Sequence, residues 1–210
     1  MALEEQAVTL DAGGVTLEAM LHAPDAAHFA AVVLHPHPRY GGDMHNHVVT
    51  TACRALATLG AATLRLNFRG TGGSGGTHDD GRAEQDDARA GIARVREAAP
   101  GRPLLLAGYS FGAQVAASVA ARRAPDALAL ISPPVAYAPL PKLPEGLPLL
   151  VITGGQDPVA PADIVRGLDG HGIDVVVVPG VDHGWWGGDE ALAAALIRLA
   201  GRLPGVPPAL

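Results

Sequence analysis

The sequence predicts an α/β protein: a mostly parallel, twisted sheet of about eight strands with helices on both faces. Short apolar runs alternate along the chain with longer segments of helical periodicity, which is typical of βαβ units. One run, residues 29–34, is apolar throughout, as expected of a strand covered on both faces. The 210 residues fit a single domain over 1–210, in which 204–210 is expected to be a loose tail.

The elements follow from these patterns in chain order. Alternating apolar residues at 7–10 and 15–21, separated by Gly13 and Gly14, predict a hairpin at a sheet edge. The remaining predicted elements are strands at 29–34, 62–68, 103–109, 128–131, 149–153 and 175–178 and helices at 48–59, 82–98, 111–122, 161–168 and 190–202. Residues 132–148 break the alternation, because their six prolines exclude a helix. We expect a short loop there.

Composition excludes several classes of function. The net charge of −6 provides no basic surface for nucleic acid or for an anionic membrane. Cys53 is the only cysteine, so neither an internal disulfide nor a multi-cysteine metal site is possible. The N-terminus has no signal-peptide pattern, and every long apolar run is interrupted. We therefore expect a cytoplasmic protein with a small-molecule substrate and without nucleic-acid or membrane partners; nothing in the sequence indicates its oligomeric state.

A candidate nucleophile follows the strand predicted at 103–109. Residues 108–112 form G-x-S-x-G around Ser110, between an apolar run and an alanine-rich helical pattern. This strand–turn–helix setting indicates a nucleophile elbow, whose tight turn leaves no room for bulky residues two positions before or after the serine. The backbone N–H that follows the serine then lies at a helix N-terminus, where negative charge is favoured.

A second G-x-S-x-G, at residues 72–76, surrounds Ser74. It follows the polar stretch 69–71 rather than an apolar run, and it precedes a polar segment rather than a helix. The pattern alone is therefore weak. Its setting favours Ser110.

Two further residues complete a candidate triad. A serine becomes a good nucleophile when a base takes its proton and a carboxylate orients that base. Asp157 and His183 each follow a predicted strand, and the ends of parallel strands meet at one edge of the sheet. The order Ser110, Asp157, His183 is the one associated with a nucleophile elbow. Asp182 is a rival acid, but as the neighbour of His183 it is poorly placed to reach that imidazole.

Other motifs accompany these residues, namely H-P-H-P at 35–38 with Gly41 and Gly42, and N-F-R-G at 67–70. Together with the elbow and the two loops, they make nearly the whole chain resemble the α/β-hydrolase superfamily. The resemblance is strongest to small lidless bacterial hydrolases related to the dienelactone hydrolases. It implies a fold without a lid domain and a reaction without a cofactor. Dienelactone hydrolases proper use a cysteine nucleophile, so their substrate is not carried over.

The resemblance also implies an oxyanion hole. Many hydrolases of this fold carry His-Gly after the third strand, and the next N–H lines the hole. Here Pro36 replaces that glycine, so the matching donor is the backbone N–H of His37, paired with that of Phe111. Tyr109, beside the nucleophile, and Trp185 or its neighbour Trp186, close behind the histidine, are candidates for substrate binding.

Two alternatives to a serine hydrolase stay open. One is a metal-dependent hydrolase that uses the two H-x-H pairs formed by His35, His37, His45 and His47. Against it, Pro36 and Pro38 restrict how the first pair could turn toward one ion. The other is a non-catalytic binding or scaffold protein on the same fold. The favoured expectation is a serine hydrolase, a carboxylesterase above all, that cleaves a small ester, thioester or amide without a metal.

Overall fold

A computed structural model of the chain describes residues 3–168 and 173–207. Within these ranges eight strands form one sheet in the order β1-β2-β4-β3-β5-β6-β7-β8. The strands are β1 (Gln6–Asp11), β2 (Thr16–His22), β3 (Phe29–Leu34), β4 (Ala61–Leu66), β5 (Leu104–Tyr109), β6 (Ala127–Ile131), β7 (Leu149–Gly154) and β8 (Ile173–Val178). β1 is antiparallel to β2 and β2 to β4, whereas all other neighbours are parallel. The predicted edge hairpin and the mostly parallel sheet are both confirmed.

Helices cover both faces of the sheet. They are α1 (His47–Ala57), α2 (Glu84–Ala98), α3 (Phe111–Arg122), α4 (Ala162–Arg166) and α5 (Asp189–Ala200). α1 and α5 pack over one face, and α2 and α3 pack over the other, so that a separate apolar core fills each side. The predicted fold class is confirmed. α4 is shorter than the predicted helix because it begins after Pro161 and Gly167 forms its C-terminal cap.

The register of the central strands positions the loops at the carboxyl edge. β3 and β5 are neighbours, and Leu34 pairs with Gly108. The chain therefore leaves both strands at the same level, and the loop that begins at His35 lies beside the Ser110 turn. All six residues of β3 are fully buried, which explains its uninterrupted apolar sequence.

The segment between β6 and β7 contains no helix or strand, as its prolines predicted. It is a loop of 17 residues, 132–148, and no lid domain covers the carboxyl edge among the described residues. None of the described helices is long and apolar enough to cross a membrane. In the predicted loose tail, Val206 packs against the core beside α5, and residues 208–210 lie outside the described ranges.

Candidate active site

Ser110 lies in a strained turn between β5 and α3. Its φ of 54° and ψ of −115° are unusual for a residue with a side chain. A Cβ atom on Gly108 would lie 2.2 Å from the carbonyl oxygen of Gly112, and one on Gly112 would lie 2.5 Å from that of Leu34. Both glycines are therefore required by the close approach of backbone segments, which is the steric reason for the G-x-S-x-G pattern.

The structure brings Ser110, His183 and Asp157 into one hydrogen-bonded chain. Nε2 of His183 lies 3.0 Å from Oγ of Ser110, and its Nδ1 lies 2.9 and 3.0 Å from the two carboxylate oxygens of Asp157. A carboxylate only accepts hydrogen bonds, so Nδ1 carries the proton in the neutral imidazole. Nε2 is then free to accept the hydroxyl proton of the serine.

Asp157 is held as an ionised acceptor although its side chain is fully buried. Its Oδ1 accepts hydrogen bonds from the backbone N–H groups of Val159, at 2.8 Å, and Ala160, at 3.0 Å. Burial by itself raises the pKa of Asp157, but interactions with His183, Ser132 and the Ala160 N–H outweigh it. The pKa therefore lies below its usual value, and the carboxylate stays charged at neutral pH.

The turn that carries His183 is fixed on three sides. Asp182 accepts a hydrogen bond from the N–H of Gly184 at 2.9 Å, so this carboxylate caps its own turn. Nε2 of His47 lies 2.7 Å from the carbonyl oxygen of Gly184. The Tyr109 hydroxyl donates to the carbonyl of His183, and burial raises the pKa of Tyr109, so this hydroxyl remains a donor. Tyr109 thus supports the histidine loop.

The two expected oxyanion donors lie at the elbow. Phe111 is the first residue of α3, and His37 belongs to the loop after β3 whose start packs against Gly112. Neither backbone N–H donates to another of the residues that the structure describes. The His37 ring packs on the Phe111 ring with centroids 4.9 Å apart. Burial, and after it the neighbouring His78, lower the pKa of His37.

A cavity of about 890 Å³ opens beside Ser110 and His183. Its wall combines aromatic and polar side chains, among them His37, Tyr40, Asp80, Arg82, Gln85, Tyr109, Phe111, Gln114 and Tyr137. Tyr40 and Tyr137 are 88 % and 79 % exposed. The cavity is therefore a cleft with a wide, partly aromatic mouth.

The expectation that Trp185 binds substrate is wrong. Its side chain is fully buried, and the indole N–H donates to Oγ of Ser132 at 2.9 Å. The turn 182–185 directs the ring into the core, where Gly188 leaves room for it: a Cβ there would lie 2.6 Å from the indole. Trp186 is 76 % exposed and stacks on His47, outside the cavity wall. Tyr109 does line the cavity, although only 4 % of it is exposed.

The histidines of the two H-x-H pairs serve separate structural purposes. His35 accepts a hydrogen bond from the Phe68 N–H through Nε2, and burial lowers its pKa to about 4. His45 contacts Arg65, and His47 contacts the Gly184 carbonyl. In the part of the chain that the structure describes, no three His, Cys, Asp or Glu side chains are arranged to hold a metal ion.

Sequence reasoning missed two side chains near the site. Ser132 is fully buried and contributes to the low pKa of Asp157. Ser132 directly follows β6, at the carboxyl edge of the sheet where the other site residues lie, and this position could have indicated that it belongs to the site. Glu84, also fully buried, accepts hydrogen bonds from the N–H groups of Asp79 and Gly81 and so fixes a loop of the cavity wall.

A mostly parallel sheet with a serine elbow at its carboxyl edge defines an α/β-hydrolase fold. Residues 27–146 match the family described as serine aminopeptidase, S33, and the chain belongs to this family. The predicted superfamily is confirmed.

Solved structures support the same assignment. A lidless α/β serine hydrolase from Xanthomonas campestris is 36% identical, with 99% of each chain covered and a TM-score of 0.87. An α/β serine hydrolase homologue from Coxiella burnetii is 34% identical over 94% of this chain and 97% of the other, with a TM-score of 0.83. An uncharacterized protein of Rickettsia prowazekii is 37% identical over 73% of this chain and 70% of its own.

Proposed function

We propose that the protein is a serine hydrolase that cleaves a small carboxylic ester, with related thioesters or amides as slower substrates. The observation that carries this proposal is the unbroken hydrogen-bonded chain from buried Asp157 through His183 to Ser110, at distances of 2.9 to 3.0 Å. A base oriented by a carboxylate and in contact with a serine hydroxyl is the arrangement that activates serine. Ser110 and His183 lie in the wall of the cavity, where a substrate carbonyl can reach the serine hydroxyl.

The reaction follows from this arrangement. Nε2 of His183 takes the proton of Ser110 while Oγ attacks the substrate carbonyl carbon, and Asp157 stabilises the resulting imidazolium. The N–H groups of His37 and Phe111 donate to the oxyanion. The imidazolium then protonates the leaving alkoxide, and an acyl-enzyme remains. Water, activated by the same histidine, releases the acid and restores the serine.

The charges of the cavity wall favour an ester over an aminoacyl substrate. An aminopeptidase must hold a free, protonated α-amino group, for which a carboxylate beside the acyl site is the natural partner. Among the described residues of the wall, Asp80 is the sole carboxylate. Its Oδ1 lies 3.1 Å from Nε2 of His78 and 3.7 Å from Nη1 of Arg39, so this carboxylate already has partners within the protein. The family name therefore does not decide the substrate of this member.

The open cleft favours a short acyl group. The loop 132–148 contributes only Pro134 and Tyr137 to the wall, and the mouth is exposed on that side. A fully buried methylene contributes roughly 0.8 kcal/mol, and a chain that remains partly in water gains little of it. We expect kcat/KM for p-nitrophenyl esters to stay flat or fall from acetate to palmitate, without activation at a lipid–water interface. A steep rise with chain length would contradict the open cleft.

A fluorophosphonate probe tests the proposed chemistry directly. The probe labels only an activated serine, so we expect the wild-type protein to react and Ser110→Ala to remain unlabelled. Hydrolysis of p-nitrophenyl acetate should be insensitive to a chelator. A folded wild-type protein that neither reacts with the probe nor hydrolyses the ester would instead support a binding or scaffold role. Faster turnover of an aminoacyl p-nitroanilide than of any ester would support a peptidase.

A further inference from the structure

One face of α3 continues from the nucleophile along the cavity. Gln114 and Ser118 follow Ser110 at helical spacing, so their side chains lie on the same side of the helix, and all three residues line the cavity. The backbone N–H of Gln114 donates to the Ser110 carbonyl at 3.2 Å, so Gln114 lies one helical turn, about 6 Å along the axis, beyond the serine. No step of the proposed reaction uses Gln114.

The side-chain amide of Gln114 has an unsatisfied polar atom. Its Oε1 is buried and accepts no hydrogen bond from the residues that the structure describes. Buried polar groups are nearly always hydrogen-bonded, so an exception in a cavity wall indicates a binding position for a ligand. Rotation about the last side-chain bond exchanges the oxygen and nitrogen of the amide, and a hydroxyl group pairs with either of them because it both donates and accepts.

Two neighbouring polar side chains of the wall offer acceptors. Nε2 of Gln85, on α2, donates to the carbonyl of Gly81 at 2.9 Å, which leaves the amide oxygen as an acceptor. Oγ of Ser118 donates to the backbone carbonyl of Gln114 at 2.9 Å, so this oxygen is also left to accept. Gln85, Gln114 and Ser118 together form a polar subsite, which matches a group that donates a hydrogen bond.

The charges of the wall do not contribute to the polar subsite. Apart from histidines, the charged residues among the described lining residues are Asp80 and Arg82. Oδ1 of Asp80 lies 3.1 Å from Nε2 of His78, and Nη2 of Arg82 donates to Oδ1 of Asp79 at 2.6 Å. Each charge therefore has a partner outside the subsite, and the group that the subsite binds is a neutral one.

The polar subsite lies on the acyl side of the scissile bond. The leaving alkoxide must lie next to Nε2 of His183, which protonates it. His183 follows β8, on one side of β5 in the sheet, whereas α2 packs over β3 and β4 on the other side. The acyl group extends away from the leaving group and so toward α2. We propose that Gln114 determines specificity by binding a hydroxyl group of the acyl chain, so that the preferred substrates are esters of neutral hydroxylated acids.

This role rests on the proposed function and is tested with two p-nitrophenyl esters of equal length. The 6-hydroxyhexanoate carries a hydroxyl group where the heptanoate carries its terminal methyl group. For the wild-type protein we expect kcat/KM to be about fivefold higher for the hydroxylated ester, because it gains one neutral hydrogen bond where an open cleft gives a methyl group little burial. The ratio of the two kcat/KM values is compared within each variant, after subtraction of the background measured with Ser110→Ala.

Three variants separate hydrogen bonding from packing. Gln114→Met keeps the side-chain length and the helix propensity but removes the amide, so the ratio should fall to one or below, mainly through a higher KM for the hydroxylated ester. Gln114→Glu, whose carboxylate accepts from a hydroxyl group, should keep a ratio above one. Gln6→Met, the same change at an exposed position of β1 outside the cavity wall, should keep the wild-type ratio.

The outcomes distinguish this role from the proposed function. A wild-type ratio of one or below, or a wild-type ratio in Gln114→Met, would overturn the role of Gln114. A ratio in Gln114→Glu as low as in Gln114→Met would overturn it equally, since packing would then set the preference. If Gln114→Met fails to fold, Gln114→Ala replaces it with the same expected ratio. A wild-type protein that hydrolyses neither ester and does not react with the fluorophosphonate would refute the proposed function instead.

Discussion

Two serines in this chain occupy the same five-residue pattern and are equally buried, at 8 % exposure, yet their hydroxyl groups have opposite surroundings. The Ser74 hydroxyl forms hydrogen bonds with backbone groups: its Oγ donates to the carbonyl of Asn67 at 2.8 Å and accepts from the N–H of Glu18 at 3.0 Å. Ser110 faces an imidazole nitrogen of His183 at 3.0 Å, beside the cavity. The glycines two positions before and after each serine are shared, and the hydrogen-bond partners of the two hydroxyl groups differ.

The glycines of the two segments are also required for different reasons. Gly108 and Gly112 accommodate close approach of backbone to backbone at the elbow. Gly72 and Gly76 have φ values of 55° and 76°, which glycine adopts without strain in a turn. The comparison teaches that the pattern indicates a nucleophile only where a strand enters it and a helix leaves it. The predictions that follow change both members of a pair and compare the two effects.

The largest difference is expected between the two serines. Ser110→Ala removes the proposed nucleophile, and loss of a triad member typically lowers the rate on the order of 10⁴-fold or more. Ser74→Ala removes a hydroxyl that only the backbone uses, so kcat/KM should stay within about threefold of wild type, since distant sites act independently. Both variants are measured with p-nitrophenyl acetate. Equal losses would refute the assignment of roles to the two serines.

The two aspartates near the histidine form the next pair. Asp157→Asn should lower kcat by about 10⁴-fold, because the amide favours the wrong imidazole tautomer. Asp182→Asn loses a charge in a turn cap, and we expect less than about a tenfold effect. Circular dichroism checks that both variants are folded. Reversed effects would identify Asp182 as the orienting acid.

The third pair, Gly112 and Gly76, tests the steric requirement of the elbow, and we expect a smaller loss of rate than in the first two pairs. In Gly112→Ala the new Cβ would lie 2.5 and 2.6 Å from the carbonyl oxygens of Leu34 and His35, so the loop leading to His37 must shift. A displacement of about 1 Å costs on the order of 10²-fold in rate, and we expect a loss of this size. Gly76→Ala should leave kcat unchanged and lower stability by roughly 1–2 kcal/mol, the cost of its positive φ. Matching rate losses in the two variants would contradict the steric account of the elbow.

These pairs also show how much of the fold and of the candidate site the sequence predicts. β3 and α3 have the bounds predicted for them, because an uninterrupted apolar run and a helix that starts directly after Ser110 leave little ambiguity. Which strand ends meet follows from parallel topology, so Asp157 and His183 could be proposed as partners of the serine from their positions alone.

The orientation of Trp185 could not be predicted in the same way. The direction of the indole ring depends on the φ of 62° at Trp185 and on the absence of a side chain at Gly188. A periodic pattern of apolar residues indicates neither. The hydrogen bond from the Trp185 indole to Ser132 is likewise a contact between distant segments. Periodicity identifies the face of a strand or helix, and it carries no information on the direction of a side chain within a loop.

The last expected effect concerns stability alone, in Ser74→Ala. The Ser74 hydroxyl joins β2 to the loop after β4 through two hydrogen bonds, and Asn67 is 2 % exposed. Their loss leaves a backbone donor and a backbone acceptor without partners, which typically costs about 1–3 kcal/mol. Urea denaturation should therefore show a lower midpoint with an unchanged m-value. The control is Thr50→Ala on α1, where the hydroxyl donates to the His47 carbonyl of its own helix and accepts from the exposed Arg54 side chain. Water can replace that exposed contact and alanine is a better helix former, so the midpoint should hardly change. Equal shifts in the two variants would mean that the Ser74 hydroxyl does not stabilise the loop, and that its hydrogen bonds are replaced by water as readily as those of an ordinary surface threonine.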